Sequence, residues 1–145
     1  MIDTARALAA GHRAALASLD GAGWPYVSLV LVAQDERGHA LLLLSDLAEH
    51  TKNIKRDGRA SLLFDGTADP AAPLAGPRLT VMGRVAPAAE PAALARYVTR
   101  HPEAEGWARL GDFHLYRLTP TRAHLVAGFG RIAWIEAPAL CLSDN

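Results

Sequence analysis

Two hydroxyl side chains and a lysine stand close together in residues 45–52, SDLAEHTK, which directly follow an apolar run. Where a helix begins at the end of a strand, its first turn offers unpaired backbone N–H groups and the positive end of the helix dipole. Such a turn binds phosphate without a special loop. Ser45 and Thr51 would add hydroxyl donors, and Lys52 would add a positive charge, because helical side chains lean toward the N-terminus. The segment therefore predicts an anion site.

The helix itself is predicted from its first turn. Asp46 and Glu49 have the spacing of a capping box, and the residues that follow place apolar side chains on one face. A second interpretation is open, in which Lys52, Lys55 and Arg56 only form a solvated face that complements the helix dipole. Spacing alone does not separate the two interpretations.

Histidine spacing gives no metal signature. The six histidines show neither HxH nor HExxH spacing and stand at positions 12, 39, 50, 101, 114 and 124. We therefore expect no metal site. His50 is a candidate contact to a phosphate or a cofactor, with a solvated or capping role as the alternative. The chain has no GxSxG elbow, Walker loop or GxGxxG motif, which excludes the common hydrolase, P-loop and Rossmann classes.

Composition limits the remaining classes. A length of 145 residues is enough for one domain, and we expect a single domain over residues 1–145. Fifteen Lys and Arg residues balance fifteen Asp and Glu residues, so the net charge predicts neither a nucleic-acid partner nor an anionic membrane. Cys141 is the one cysteine, and the first residues lack a signal-peptide pattern, which together predict a cytoplasmic protein.

Turn residues divide the first half of the chain into a short helix and several strands. The run DTARALAAG predicts a helix that stops at Gly11. The apolar runs RAALASLD, WPYVSLVLVA and HALLLLS are separated by turn residues, and they predict three strands in meander order. A further strand, RASLLF, follows the helix of residues 46–58.

The second half of the chain is likewise predicted to consist of strands and helices separated by turn or breaker residues. PRLTVMGRV has the alternation of a strand, and Gly83 within it predicts a bulge or a close backbone approach. One or two helices follow, with breaks at Pro102 and Gly106. The last apolar segments predict three short strands, with a turn at Thr119-Pro120. Six or seven strands and three helices favour a closed or split antiparallel barrel with helices outside it.

The order of these motifs resembles the FMN-binding split-barrel superfamily, the relatives of pyridoxamine 5′-phosphate oxidase, and within it the small haem-utilisation-like branch. The resemblance is carried by residues 23–64, 76–85 and 124–135. It implies a mainly β, α+β fold: a Greek-key type split barrel of six or seven antiparallel strands with short flanking helices. It also implies that the anion held after the apolar run is the phosphate of FMN.

The resemblance also implies a set of cofactor-binding residues. They lie on the strand beneath the flavin, at the start of the helix and beside the subunit boundary: Tyr26, Val27, Ser28, Leu44, Ser45, Thr51, Lys52, Arg78 and Arg131. Ser28 replaces an arginine of the true oxidases, and Arg78 matches a glutamine that reaches the cofactor. No catalytic residue is assigned, because the flavin itself performs the electron or hydride transfer.

The implied function is FMN-dependent oxidoreduction of a small-molecule substrate. The alternatives are a flavin- or haem-binding module without turnover and a reductase that uses the deazaflavin F420. The resemblance implies a homodimer with cofactor sites at the subunit boundary. The runs LVLVA and LLLL favour a dimer as well, because continuously apolar strands need cover on both faces. Ile132 and Trp134 are expected in the core or in a dimer contact.

Overall fold

One curled antiparallel sheet of eight strands dominates the structure, a computed structural model that describes residues 1–141. Its strands are β1 (Arg13–Leu19), β2 (Pro25–Leu31), β3 (Ala33–Gln34), β4 (Ala40–Ser45), β5 (Arg59–Asp65), β6 (Arg78–Pro87), β7 (Phe113–Gly128) and β8 (Arg131–Glu136). The helices are α1 (Ile2–Ala9), α2 (Glu49–Arg56), α3 (Pro91–Arg100), α4 (Ala104–Ala108) and α5 (Ala137–Leu140), with a 3₁₀ turn at Pro73–Ala75. The predicted class, mainly β with short flanking helices, is confirmed.

The sheet curls into a barrel because its two edge strands, β2 and β3, are consecutive parts of one extended segment. The strand order is β2-β1-β5-β6-β7-β4-β3, and β8 pairs with β7. Only Val32 separates β2 from β3, and these two strands pair with β1 and β4 respectively. Within residues 1–141 no ladder joins β2 directly to β4, so the barrel is split along that line. The predicted split barrel is confirmed. The predicted meander is confirmed for the β1–β2 hairpin and for the short β3–β4 hairpin, whereas the rest of β4 pairs with β7.

Apolar side chains that point inward fill the barrel. Directly opposed residues on neighbouring strands share a face, and one buried inward row consists of Leu62, Val81, Ala123 and Ile135. A smaller apolar cluster lies outside β4, where Leu41 packs with Tyr97 of α3, while the next residue, Leu42, faces the barrel core. The leucine run of β4 is thus covered on both faces within one chain, as its pattern predicted, but without a partner subunit.

The bulge predicted at Gly83 is confirmed, because the register of β6 and β7 shifts between Met82 and Gly83. A Cβ at Gly83 would collide with the carbonyl oxygen of Thr119, so this position excludes a side chain. Pro120 lies opposite Gly83 and has no N–H to donate, which an irregular pairing tolerates. The predicted turn at Thr119-Pro120 is therefore wrong, and β7 continues through it as one long strand.

The helices differ from prediction mainly at their ends. The chain breaks between α3 and α4 around Pro102, as predicted, whereas Gly106 lies inside α4. The helix predicted after β4 is present as α2, but Ala48 is its N-cap and no side chain caps it. The capping box of Asp46 and Glu49 is therefore wrong, because Glu49 is already the first helical residue.

Candidate functional site

The split between β2 and β4 opens a cleft of about 220 Å³ beside the start of α2. Its walls are largely apolar, and on one side Trp107 and Phe113 stack with their ring centres 6.4 Å apart. Leu44 and Ser45, two of the predicted cofactor-binding residues, line this cleft, as does His50. The helix is fixed there by a buried hydrogen bond, which Asn53 donates to the hydroxyl of Ser18 on β1 (3.1 Å).

Ser28 and His50 form a polar pair at the same place. Ser28 Oγ lies 2.9 Å from His50 Nδ1, so β2 and α2 are joined by a side-chain hydrogen bond. Burial lowers the pKa of His50 below its usual value, because the imidazolium would lose hydration. The imidazole is therefore neutral at neutral pH. Sequence spacing gave no sign that Ser28 and His50 meet.

Thr51 and Lys52, the predicted phosphate-binding pair, point in different directions. Thr51 is fully buried, and its hydroxyl has no hydrogen-bond partner among the described residues. Lys52 is exposed and lies 3.4 Å from a carboxylate oxygen of Glu49 on its own helix. The two side chains are consecutive on the helix, which separates their directions by about 100°. Only Thr51 faces inward.

Carboxylates surround the start of α2. The hydroxyl of Ser45 donates to Asp112 (3.1 Å) and accepts from the backbone N–H of Leu47 (3.2 Å). Asp46 accepts from Lys55 and also lies 3.1 Å from Nε2 of His114. The hydrogen bond from Lys55 is the main reason why the pKa of Asp46 is lowered. These charges already compensate the helix dipole and its donors, which weakens the attraction for a further anion.

The remaining residues predicted on β2 fall on two faces. Tyr26 lies opposite the buried Ser18, so it shares the α2 side of the sheet with Ser28. Val27 lies between them in sequence and projects to the opposite face, where it is exposed. The structure thus brings Ser28, Leu44, Ser45 and Thr51 to the region of the split and separates Val27 from them.

The outer face of the sheet carries an uncovered row of side chains across six strands. Residues in direct register along this row are Leu29, Ala15, Leu63, Thr80, His124 and Trp134. Leu29 is 72 % exposed and Trp134 is 54 % exposed, so this face is apolar but not buried. Of the two alternatives predicted for Trp134 and Ile132, the core is excluded, since both project to this face, and the dimer contact stays a prediction.

One end of the row forms an aromatic and cationic cluster. The rings of His124 and Trp134 lie with their centres 4.5 Å apart, and Cζ of Arg122 lies 4.0 Å from the centre of the Trp134 ring. Cation–π stacking of this kind contributes about 0.5 to 1 kcal/mol at an exposed site. Sequence spacing assigns no role to His124, because a single histidine on a strand has no diagnostic pattern.

A groove of about 400 Å³ lies beside this cluster on the same face. Its floor is formed by small and apolar side chains, and its charged lining residues are Arg59, Arg84 and Arg122. Spacing along the sequence does not reveal this site, because the three arginines come from β5, β6 and β7. The sequence signal available was that each arginine occupies an outward-facing position in a strand whose inward and outward residues alternate.

The other predicted arginines occupy separate places. Arg78 is on the outer face, directly opposite Asp65 and Val126, and its Nε is buried without a partner among the described residues. Arg131 is exposed opposite Gly128, where β7 turns into β8. Neither residue lines the cleft or the groove.

Membrane-spanning helices and metal-binding clusters are both absent from the described residues. No helix in this part of the chain is both long and apolar enough to cross a membrane. Residues 1–141 also contain no group of three or more His, Cys, Asp or Glu side chains placed to hold a metal ion.

Residues 3–140 match the family described as "CREG, beta-barrel". The chain is 34% identical over 109 residues to the chloroplastic heme oxygenase HOZ of Arabidopsis thaliana, a match that covers 73% of this chain and 33% of that protein. It is 28% identical over 123 residues to the heme oxygenase HutZ of Vibrio cholerae, which covers 80% of this chain and 69% of that protein. The chain thus spans about a third of the Arabidopsis relative.

Among solved structures, a heme binding protein from Mycobacterium smegmatis has the same fold. It superposes with a TM-score of 0.88 at 29% identity, over 96% of this chain and 59% of that one. The resemblance predicted from the sequence, to the split-barrel superfamily and its haem-utilisation-like branch, is confirmed.

Proposed function

The chain belongs to the CREG β-barrel family, and on that premise we propose that it binds haem on the outer face of its barrel. The observation that carries this proposal is the imidazole of His124, which stands on an uncovered apolar face beside an arginine-lined groove. Two relatives of the chain are heme oxygenases, and a third is a heme binding protein. This function replaces FMN-dependent oxidoreduction as the first interpretation.

The residues of this face fit the chemical needs of haem. Neither ring nitrogen of His124 has a hydrogen-bond partner within residues 1–141, so the imidazole is free to bind iron. Leu63 and Trp134 lie in the same row and offer apolar surface to a porphyrin. Haem supplies its own redox and oxygen chemistry when bound. The role of these side chains is to hold the ligand and orient it.

We also propose a homodimer in which a second copy covers the β2 end of the outer face and leaves the haem site at the subunit boundary. Val27, Leu29 and Leu63 are apolar, exposed and close together there. A contiguous apolar patch on one side of a small protein favours self-association, and a two-fold axis is the usual arrangement. Arg78 projects from the same face outside the groove, where the second copy would contact it. Its replacement would therefore weaken dimerisation and, through the subunit boundary, ligand binding as well.

Titration of the purified protein with hemin and, separately, with FMN tests the haem proposal. We expect hemin to give a saturable change in the Soret band at one haem per chain. Equal volumes of buffer and of an unrelated protein at the same concentration control for free and non-specifically bound hemin. The proposal is contradicted if hemin gives no saturable change while FMN binds.

A second candidate function is FMN-dependent oxidoreduction of a small molecule in the split cleft. It is favoured by the pair of Ser28 and His50, of which His50 lines the cleft, and by the buried hydroxyl of Thr51 on the same helix, whose missing partner a phosphate oxygen would supply. The carboxylates around the start of α2 act against it. Anaerobic reduction of FMN-loaded protein by NADH or NADPH, followed by reoxidation in air, tests this candidate. If NADH and NADPH both fail to reduce the bound flavin, this candidate function is contradicted.

We propose a cytoplasmic location for this haem protein. The support is the single cysteine of the sequence, which is typical of a reducing compartment. Fractionation of cells that produce the full chain should recover it with cytosolic markers. Recovery with secreted or membrane markers would contradict the location without affecting the haem proposal.

A further inference from the structure

The groove on the outer face contains two arginines that lie directly opposite each other on neighbouring strands, an electrostatically unfavourable pairing. Arg59 and Arg84 are directly opposed across β5 and β6, so their side chains leave the sheet on the same side. Like charges in this relationship destabilise an antiparallel pair. Arg122, from the next strand, brings a third guanidinium to the same groove. No carboxylate is among the groove's lining residues.

Only one of these three charges has an ionic partner within the described residues. Arg59 forms an ion pair with Asp57, with 2.6 Å between nitrogen and oxygen, and this hydrogen bond lowers the pKa of Asp57 to about 2. Arg84 and Arg122 make no hydrogen bond within residues 1–141, and Arg122 only stacks on Trp134. Two guanidinium groups therefore keep their donors for a ligand.

The neighbouring charges leave the groove cationic. Glu136 is the register partner of Arg122 on β8, but no ion pair joins the two side chains. Asp57 lies at the end of α2 and forms its ion pair with Arg59, and Arg84 interacts with the same carboxylate electrostatically without forming an ion pair. An arginine fork binds a carboxylate through two parallel hydrogen bonds, so two free guanidiniums match a ligand with two carboxylates.

The groove and the histidine are close enough to serve one ligand. Arg122 and His124 are two residues apart on the same face of β7, which places their Cα atoms about 7 Å from each other. Met82, which lies opposite Arg122, gives the floor of the groove an apolar side chain that continues toward the row of His124. A planar apolar ligand with carboxylates on one edge would find cations at one end and an imidazole at the other.

We propose that Arg84 and Arg122 recognise the two propionate carboxylates of the tetrapyrrole and thereby select tetrapyrroles whose carboxylates are free. This inference rests on the proposed haem-binding function and adds the specificity of the site. The arginines fix which edge of the ligand enters the groove, and the imidazole of His124 binds the iron.

Paired titrations with hemin and with hemin dimethyl ester test the proposal on the full chain. The ester keeps the iron and the apolar ring but has no carboxylate. We expect the wild-type protein to bind hemin about ten- to hundredfold more tightly than the ester, as for the loss of charge-assisted hydrogen bonds. Arg84→Gln and Arg122→Gln should weaken hemin binding by a similar factor and leave ester binding unchanged. Arg109→Gln, which replaces an exposed arginine at the C-cap of α4 that does not line the groove, is the matched control.

Each outcome separates the two proposals. Equal affinity for hemin and its ester, or unchanged hemin affinity in both variants, would overturn the carboxylate recognition while leaving haem binding intact. A failure of both ligands to bind would remove the haem proposal itself. Thermal unfolding without ligand gives a second readout: Arg84→Gln should raise the midpoint, since it relieves the repulsion from Arg59. A lowered midpoint would mean that Arg84 stabilises the sheet and would contradict a ligand-binding role.

Discussion

The hydroxyl oxygen of Ser28 lies 2.9 Å from Nδ1 of His50, and this contact links strand β2 to the first turn of α2. The imidazole is half-buried, and burial lowers its pKa. In the unfolded chain the same histidine titrates near its usual value of 6.5. The unfolded state therefore takes up a proton first as the pH falls.

Stability should consequently depend on pH through His50. Above the usual histidine pKa both states are neutral and no effect is expected. As the pH falls through about 6.5 toward the lower folded-state pKa, the free energy of unfolding decreases. His50→Gln should flatten this dependence in urea unfolding at a series of pH values. His12→Gln, an exposed histidine, should keep it, and an unchanged slope in His50→Gln would show that other groups cause it.

Lys52→Ala tests whether the start of α2 holds a flavin phosphate. If it does, loss of one charge-assisted contact should lower FMN affinity about ten- to hundredfold. Lys55→Ala on the same helix is the control, since Lys55 is engaged by Asp46. Isothermal titration with FMN gives the affinities. Equal affinity in Lys52→Ala and wild type would assign Lys52 to the solvated face of the helix.

Gly83→Ala should destabilise the barrel, because the added Cβ meets the backbone oxygen of Thr119 at the bulge. We expect a loss of about 2 kcal/mol or more in the free energy of unfolding. Gly106→Ala is the matched control, since open space surrounds that position on α4 and alanine is the better helix former. Urea denaturation measures both, and a loss in Gly83→Ala no larger than the change in Gly106→Ala would contradict the close approach.

Leu29→Glu should abolish the proposed homodimer. The side chain is 72 % exposed in the single chain and lies on the apolar β2 end of the outer face. A charge there would be desolvated by the second copy. Leu47→Glu is the control, because Leu47 is 77 % exposed but precedes α2, away from that face. Light scattering should give a dimer for wild type and Leu47→Glu and a monomer for Leu29→Glu; a monomeric wild type would contradict the dimer.

Local patterns in the sequence predicted most of the elements but not their neighbours in space. Alternation and turn residues were enough to place the strands and the bulge at Gly83. The pairing of β4 with β7 joins segments about 70 residues apart, and no local pattern specifies such a register. Local sequence predicts a turn at Pro120 because it does not show the partner strand, whereas opposite a bulge a proline fits within a strand.

The candidate site was predictable only in part, because local patterns do not specify which distant segments become neighbours. Leu44 and Ser45 are adjacent in sequence and both line the cleft, so a local motif found them. His50 pairs with Ser28 across 22 residues, and the arginines of the groove come from three different strands. Their convergence depends on the register of the sheet. Spacing along one chain therefore could not reveal the outer face as a site.

The central claim, that haem binds at His124 on the outer face, is tested most directly by the optical spectrum and affinity of the hemin complex of His124→Ala. His114→Ala removes the other histidine of β7, which is exposed, and is the matched control. We expect His124→Ala to shift or lose the Soret band of the complex and to weaken hemin binding by at least about tenfold, while His114→Ala matches the wild type. An unchanged Soret band and affinity in His124→Ala would contradict haem binding at His124.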